Sequence, residues 1–144
     1  MEVRPATRDD LPAIRALLEA SALPAADVDG EGAQRLLVAR EDGRLAGCIG
    51  LEVHGDAGLL RSFAVAPPLR RRGIGAALHD AAVVQARTLG VRDLYVLTTT
   101  VKERALRTGF EEVAREQVPE ALRAGAQFRS LCPASAACLR LRLG

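Results

Sequence analysis

Three arginines and two glycines at residues 70–76 form the segment of this chain best suited to binding an anion. The segment lies between a strand-like apolar run and a long helical pattern, so it is predicted to join a strand to a helix. The first N–H groups of a helix have no partner inside the helix, and the helix dipole is positive at that end. Such a junction favours binding of a phosphate or pyrophosphate. The predicted phosphate-binding residues are Arg70, Arg71, Arg72, Gly73, Ile74, Gly75 and Ala76.

Two other phosphate-binding motifs do not fit this segment. A Walker A loop requires Gly-Lys followed by Ser or Thr, and no such sequence follows. Residues 73–78 (GIGAAL) lack the third glycine of the dinucleotide-binding fingerprint. A dinucleotide fold also seldom places that fingerprint after antiparallel hairpins, which are predicted here. Kinase and dehydrogenase functions are therefore disfavoured.

Charged side chains precede the junction on two predicted strands. The apolar phase changes between Leu60 and Phe63, which predicts a β-bulge, and bulges often lie beside active sites. Arg61 lies at this place, where its guanidinium suits a substrate carboxylate; a surface arginine, or one paired with a buried carboxylate, is the alternative. Glu52 and His54 are candidate proton relays, and the alternative is a solvated carboxylate and a turn histidine.

Length and composition set the class of protein. The chain has 144 residues, of which 49% are hydrophobic and 26% charged, as in one ordinary globular domain. A net charge of +2 and 3% aromatic residues are poorly suited to nucleic acid. No apolar run approaches the roughly 20 residues needed to cross a bilayer, and the first residues lack the pattern of a secretion signal. No nucleic-acid or membrane partner is expected, and a cytoplasmic location is predicted.

The three cysteines, Cys48, Cys132 and Cys138, are scattered along the chain. Their odd number and irregular spacing fit neither a disulfide framework nor a zinc site. Free cysteines are most often small, buried apolar side chains, and this is the expectation here. Direct arsenic or metal binding through Cys132 and Cys138 is the alternative, and their spacing around a proline gives it little support.

The surrounding sequence predicts the elements that would hold these groups in place. Thr7, with Asp10 three residues later, predicts the start of a helix, and apolar residues follow at helical spacing. An Asp-Gly pair at residues 42–43 predicts a hairpin turn. Strands are predicted at residues 3–6, 36–40, 45–53, 59–65, 93–98, 110–115 and 136–143, and helices at residues 11–18, 74–89, 101–108 and 119–125.

The pattern Arg70-x-x-Gly73-x-Gly75, after a strand ending in Ala64 and Val65, resembles the coenzyme A loop of the GNAT superfamily of N-acetyltransferases. The order of predicted elements is similar to that fold over nearly the whole chain. The resemblance implies one domain over residues 1–144 with an α/β (α+β) fold, a mixed, mostly antiparallel twisted sheet of six to seven strands flanked by about four helices. It also implies acetyl-CoA as the donor, a small-molecule amine as the acceptor, no metal and, by analogy alone, a homodimer.

The resemblance also implies where the donor would lie. The pyrophosphate is expected on the backbone of residues 71–76, with Arg70 adding charge. The acetyl-pantetheine arm is expected along the edge of Phe63, Ala64 and Val65. The Val65 amide is the candidate donor to the oxyanion formed when the amine attacks the thioester.

Other roles are expected on the acceptor side. Glu52 is the candidate relay for the proton of the amine. The leaving thiolate takes its proton either from solvent directly or from a water held by Thr98, Thr99 or Ser135. Arg61, Ser62 and Thr99 are the expected acceptor contacts. These assignments extend the resemblance to the residues that surround the predicted bulge.

Two further features bear on the substrate and on the chemistry. Residues 127–138 look like the tail of the acetyltransferases associated with arsenic-resistance operons, and similar tails occur in short N-acetylglutamate synthase-like members. This implies a small amino-acid-like acceptor, glutamate-like or an arsenic- or phosphorus-containing analogue. Related enzymes often place a tyrosine acid where this chain has Ala105. The missing tyrosine leaves an acetyl-CoA-binding sensor without turnover as the alternative function.

Overall fold

The computed structural model describes residues 1–98, 102–125 and 136–144, and within them seven strands form one sheet. Their order across the sheet is β1-β2-β3-β4-β5-β7-β6, with β4 and β5 parallel and the other neighbours antiparallel. The strands are β1 (Glu2–Pro5), β2 (Gln34–Glu41), β3 (Arg44–His54), β4 (Ala57–Val65), β5 (Asp93–Thr98), β6 (Glu111–Val113) and β7 (Ala137–Arg142). The predicted mixed, mostly antiparallel sheet is confirmed.

Helices cover both faces of this sheet. Those of the described residues are α1 (Leu11–Ala20), α2 (Ile74–Thr88), α3 (Lys102–Arg107) and α4 (Glu120–Arg123). The apolar residues of α2 and α3 pack with one face of the sheet into the largest buried cluster, which includes Ile49, Leu60, Leu78 and Phe110. The α1 side has its own cluster around Ile14 and Val38, and α4 covers a third one around Leu59. Each predicted helix is therefore present, and its apolar stripe explains its place.

Local sequence accounts for the turns that connect β2 to β3 and begin α1. Asp42 and Gly43 both have positive φ, at 52° and 75°, as a two-residue hairpin turn requires. At the start of α1 the carboxylate of Asp10 accepts a hydrogen bond from the N–H of Thr7 at 2.7 Å, one half of the predicted reciprocal cap. Both turn predictions are confirmed.

The described residues show neither a helix that could span a membrane nor a group of side chains that could hold a metal ion. None of the helices there has both the length and the apolar character needed to cross a membrane. No group of three or more His, Cys, Asp or Glu side chains in residues 1–98, 102–125 and 136–144 is placed to hold a metal ion.

Candidate functional site

The sheet opens between β4 and β5, and this opening positions the candidate site. Register pairs run from Ala57 with Asp93 to Leu60 with Val96, and the pairing ends there although both strands continue. The N–H of Ala66 donates to the carbonyl of Ala46 at 2.8 Å, toward β3. Because backbone groups alternate from side to side along a strand, the N–H of Val65 points the other way, toward the open edge. The candidate oxyanion donor therefore faces the gap.

A bulge lies directly before this edge, as the sequence predicts. The register passes from Gly50 opposite Arg61 to Cys48 opposite Ala64, so β4 holds one residue more than β3 between these pairs. Ser62 has a positive φ of 55°, which takes up the extra residue. The bulge turns Arg61 and Ser62 toward the α1 face, and Phe63 packs with the α2 cluster. Side chains next to the open edge are thereby distributed over both faces.

Cys48 lies against this bulge and is chemically inert. Its thiol is fully buried and donates a hydrogen bond to the carbonyl of Ser62 at 3.2 Å. Burial raises the pKa of the Cys48 thiol to about 12, so the nucleophilic thiolate does not form at neutral pH. The expectation of a buried, reduced side chain holds for Cys48, and also for Cys138, while Cys132 lies outside the described residues.

The junction between β4 and α2 carries the unpaired N–H groups that the sequence predicts. The N–H of Ala77 is the first to bond within the helix, to the carbonyl of Gly73 at 3.1 Å. Within the described residues, no acceptor is found for the N–H groups of residues 71–76. Arg71 and Gly73 have positive φ, at 67° and 83°. These amides, together with the positive end of the helix dipole, suit a diphosphate.

Side chains connect this junction to the open edge. A Cβ at Gly75 would lie 3.6 Å from Phe63 Cζ and 3.7 Å from Val65 Cγ2, so the first turn of α2 rests against the end of β4. Arg70 donates from Nε to the carbonyl of Val65 at 3.1 Å. Arg72 pairs with Glu41 at 3.2 Å. Sequence reasoning expected all three arginines to add charge to the phosphate, and these two are also tied to neighbouring strands.

Four charged or titratable side chains meet on the opposite face of the sheet. Both carboxylate oxygens of Asp27 accept hydrogen bonds from the Arg61 guanidinium, and the Nη1–Oδ2 distance is 2.7 Å. The same Nη1 lies 3.0 Å from Oε2 of Glu52. The other Glu52 oxygen, Oε1, lies 2.9 Å from Nε2 of His54. We call this group the Arg61 cluster: Asp27, Glu52, His54 and Arg61.

The buried position of Arg61 explains its partners. The Arg61 side chain is only 2% exposed, and a buried guanidinium requires compensating carboxylates. Burial lowers the pKa of Arg61, but the hydrogen bonds to Asp27 and Glu52 outweigh it, and the pKa is raised overall. Gly50 makes room for the side chain, because a Cβ there would lie 3.2 Å from Arg61 Cγ. The cluster is therefore a charged, preorganised group beside the bulge.

Asp27 is the member of the Arg61 cluster that sequence reasoning missed. It lies in the stretch between α1 and β2, for which the sequence predicts neither a strand nor a well-defined helix. No local pattern marks Asp27, because its partner Arg61 is 34 residues away along the chain. The need of a buried arginine for a carboxylate was recognised, but the carboxylate could be identified only from the tertiary structure.

The remaining predicted residues are placed at the end of β5 or lie beyond the described part. Thr98 is buried at the last register pair of β5, opposite Ala137. Thr99 and the tail at residues 127–135 lie outside the described residues. The helical spacing of residues 74–89 predicts that His79 lies on the exposed side of α2, and this prediction is wrong. Its side chain is 20% exposed, and its ring packs against Phe110 with centroids 6.1 Å apart.

The sequence of this chain is similar to the sequences of known acetyltransferases. The model of the family described as Acetyltransferase (GNAT) family matches residues 4–110. Two amino-acid acetyltransferases of Neisseria meningitidis, from strains of serogroups A and B, are 30% identical over 88 residues, which is 60% of this chain. The same match covers 20% of each relative, so the chain spans about a fifth of the length of these curated relatives.

Solved structures extend the comparison to the whole chain. The structure of Rv2747 from Mycobacterium tuberculosis, in complex with CoA and NLQ, is 30% identical with a TM-score of 0.84, and 100% of each chain is covered. N-acetylglutamate synthase from Neisseria gonorrhoeae, complexed with coenzyme A and L-arginine, is 25% identical with a TM-score of 0.81. That match covers 99% of this chain and 33% of the other. Because the family model matches residues 4–110, and the fold and the strand-to-helix junction agree with it, the chain belongs to the acetyltransferase (GNAT) family.

Proposed function

We propose that the chain is an acetyl-CoA-dependent N-acetyltransferase that transfers an acetyl group to the primary amine of a small amino-acid-like acceptor. The observation that carries the proposal is the row of unpaired N–H groups at residues 71–76, next to the open edge of β4. A diphosphate bound to these N–H groups places its thioester arm along the open edge of β4, because Gly75 rests against Phe63 and Val65. The amino-acid acetyltransferases and the N-acetylglutamate synthase from Neisseria support an amino-acid acceptor.

The donor side follows from this arrangement. Residues 71–76 hold the pyrophosphate through backbone N–H groups, and Arg70, Arg71 and Arg72 add positive charge. The acetyl-pantetheine arm runs along Phe63, Ala64 and Val65 in the gap between β4 and β5. The N–H of Val65 donates to the thioester oxygen, and this hydrogen bond strengthens as the oxygen gains negative charge.

The transfer itself is a direct attack by the amine. The acceptor enters as an ammonium ion and gives one proton to Glu52, which passes it to solvent through His54. The nitrogen lone pair then bonds to the carbonyl carbon, and the carbon–sulfur bond breaks with its electron pair on sulfur. The product nitrogen loses its second proton to the hydroxide that remains when the thiolate takes a proton from a water held near Thr98, so the net release is one proton. Ser62 borders the acceptor, while the role of Arg61 depends on Asp27, and the expected contact with Thr99 stays a prediction.

A screen of amines tests the proposal. The protein is incubated with acetyl-CoA and a panel that contains L-glutamate, other amino acids, and arsenic- and phosphorus-containing amino-acid analogues. Release of free CoA thiol is followed with a chromogenic disulfide, and the acetylated product is identified by mass spectrometry. Turnover with at least one amino-acid-like acceptor is expected. The proposal fails if no amine across the panel is acetylated.

A second candidate function is an acetyl-CoA-binding sensor without turnover. It is favoured by Ala105, a small buried side chain where related enzymes often carry a tyrosine acid. A thiolate is a fairly good leaving group, so the acetyltransferase does not need that acid. Calorimetry separates the two functions: tight acetyl-CoA binding combined with silence across the amine panel would favour the sensor.

A further inference from the structure

The two terminal nitrogens of Arg61, Nη1 and Nη2, form a fork of donors that already binds the carboxylate of Asp27. Two nitrogens of the guanidinium donate to Asp27, one of these also donates to Glu52, and Nε donates to Ser62 Oγ at 3.3 Å. A bidentate carboxylate partner occupies the face of a guanidinium that a substrate carboxylate would use. Arg61 is also almost completely buried. An acceptor carboxylate would therefore have to displace Asp27.

Asp27 is held in place independently of Arg61. Arg15 donates from Nε and Nη2 to the carbonyl of the next residue, Val28, at 2.9 and 2.6 Å. Gln34 donates to the carbonyl of Asp27 itself at 2.5 Å. The Val28 side chain is fully buried in the α1 cluster. These contacts fix the backbone of Asp27 beside Arg61, so its carboxylate leaves the fork only by a rotation of the side chain that breaks both hydrogen bonds to Arg61.

The charges that remain exposed in the Arg61 cluster are negative. Two carboxylates face a single guanidinium, which leaves an excess of one negative charge when His54 is neutral. The Asp27 side chain is 24% exposed and that of Glu52 is 13% exposed, compared with 2% for Arg61. An approaching molecule therefore meets the carboxylate oxygens before it meets the guanidinium. Such a surface attracts an ammonium group and repels a carboxylate.

We propose that Asp27 is a specificity-determining residue: by filling the fork of Arg61 it makes the acceptor side select the ammonium group of the acceptor. Arg61 is then a positioning residue that holds Asp27 and Glu52 beside the bulge, and it does not contact the acceptor's carboxylate. The inference rests on the proposed acetyltransferase function. It reassigns the acceptor contact from Arg61 to the two carboxylates that surround it.

Asp27→Asn distinguishes this role from carboxylate binding at Arg61, because the two roles predict opposite changes in the KM of the amino-acid acceptor. The probes are the amino acid with the highest kcat/KM in the amine screen and the same amino acid as its α-carboxamide. If the acceptor is recognised by its ammonium group, the variant raises the acceptor KM of both probes about 10-fold, and the affinity for acetyl-CoA is unchanged. If Arg61 binds the acceptor carboxylate, the variant frees the fork and lowers the KM of the amino acid only.

Asp29→Asn is the matched control. It removes the same charge two residues away, from a side chain that within the described residues accepts one hydrogen bond, from the N–H of Glu31 at 2.9 Å. The acceptor KM of this variant is expected to stay within about twofold of the wild type. Asp27→Glu restores the charge and is expected to recover part of the lost affinity, which a purely structural role of the loop would not explain.

The wild type provides a second measurement should Asp27→Asn fail to fold. The 2-hydroxy acid analogue of the acceptor keeps the carboxylate and lacks the ammonium group. Its inhibition constant is expected to be at least 10-fold higher than the KM of the acceptor. Equal potency, an unchanged KM in Asp27→Asn, or a lowered KM for the amino acid overturns the inference. Failure of the proposed function is a different result, because the wild type would then acetylate no amine at all.

Discussion

Gly73 lies in the segment at residues 70–76 that joins β4 to α2, which we call the phosphate loop. It combines a backbone angle that favours glycine with open space at the position of a side chain. Its φ of 83° is one that residues with a side chain rarely adopt, so any substitution strains the backbone. Apart from its two chain neighbours, no atom of the described residues lies within 4 Å of the place where its Cβ would stand, so a side chain there has room. Strain and interference with the ligand can therefore be separated by the choice of substituent.

Gly73→Glu is expected to weaken acetyl-CoA binding at least 10-fold, because a carboxylate would stand beside the pyrophosphate. Gly73→Ala introduces the strain alone and is expected to lower the free energy of unfolding by about 1 kcal/mol. Acetyl-CoA affinity is measured by calorimetry and stability by urea unfolding. The two variants should differ far more in affinity than in stability.

Gly55 offers a control for the same change. It also has a positive φ, 62°, and no atom within 4 Å of its Cβ position, and it lies in the turn between β3 and β4. Gly55→Glu should cost similar stability and leave acetyl-CoA affinity unchanged. A loss of affinity in Gly73→Glu no larger than that in Gly55→Glu would mean that Gly73 is only structural.

At the scale of elements, Asp10 joins three segments that are distant in the sequence. Its carboxylate accepts from Arg4 of β1 at 2.9 Å, from the N–H of Thr7 at 2.7 Å, and from Arg40 of β2 at 3.3 Å. The hydrogen bond from Arg4 is the main reason that the pKa of Asp10 is lowered to about 2, against the opposing effect of burial. This pKa shift couples the packing of α1 to pH.

The sign of the coupling follows from the lowered pKa. The folded state holds the ionised carboxylate, so its stabilisation is complete above the ordinary pKa of 3.8 and is lost as the pH falls to about 2. Asp10→Asn is expected to lower the free energy of unfolding by about 2 kcal/mol at pH 7. The stability of the variant should fall less steeply than that of the wild type between pH 4 and pH 2. Urea unfolding at a series of pH values measures both slopes, and parallel slopes would contradict the assignment.

The order of elements could be predicted because each has a local signal. The apolar stripes of α1 and α2 recur at helical spacing, and the Asp42-Gly43 pair marks the hairpin between β2 and β3. The bulge was also predictable, since the extra residue shifts the apolar phase between Leu60 and Phe63. Periodicity and turn chemistry depend on neighbouring residues only, and these features therefore appear in the sequence itself.

Features that depend on contacts between distant segments could not be predicted in this way. The separation of β4 from β5 after Leu60 has no local signal, because the continuing residues remain strand-like. The pairing of Asp27 with Arg61 joins a loop to a strand, and nothing near Asp27 distinguishes it from Asp29. The burial of His79 could not be predicted from α2 alone, because the ring that covers it, Phe110, lies just before β6.

At the scale of the whole molecule, the two sides of the sheet take different tasks. The α2 side presents backbone N–H groups and arginines, and so attracts a polyanion. The α1 side presents the Arg61 cluster with its excess negative charge. The gap between β4 and β5 is the place where the two sides meet, and under the proposed function the donor and the acceptor would approach the Val65 amide from opposite faces. Whether two copies of the chain associate stays a prediction.

This division of tasks predicts how the donor stabilises the fold. A ligand that binds only the folded state at 100 times its Kd adds about 2.7 kcal/mol to the free energy of unfolding. For a domain of this size that gain corresponds to a rise in Tm of roughly 6–12 °C. Acetyl-CoA should produce this rise in a thermal melt of the wild type and, at the same concentration, at most about half of it in Gly73→Glu, whose affinity is at least 10-fold lower.

Acetyl-pantetheine separates the contributions of the loop and of the gap. It keeps the thioester arm that would lie along β4, and it lacks the pyrophosphate that residues 71–76 would bind. If the unpaired N–H groups supply most of the binding energy, acetyl-pantetheine at the same concentration should leave the Tm within about 1 °C of the free protein. An equal rise with both ligands would place the affinity in the gap between β4 and β5 and would remove the phosphate loop from the proposed function.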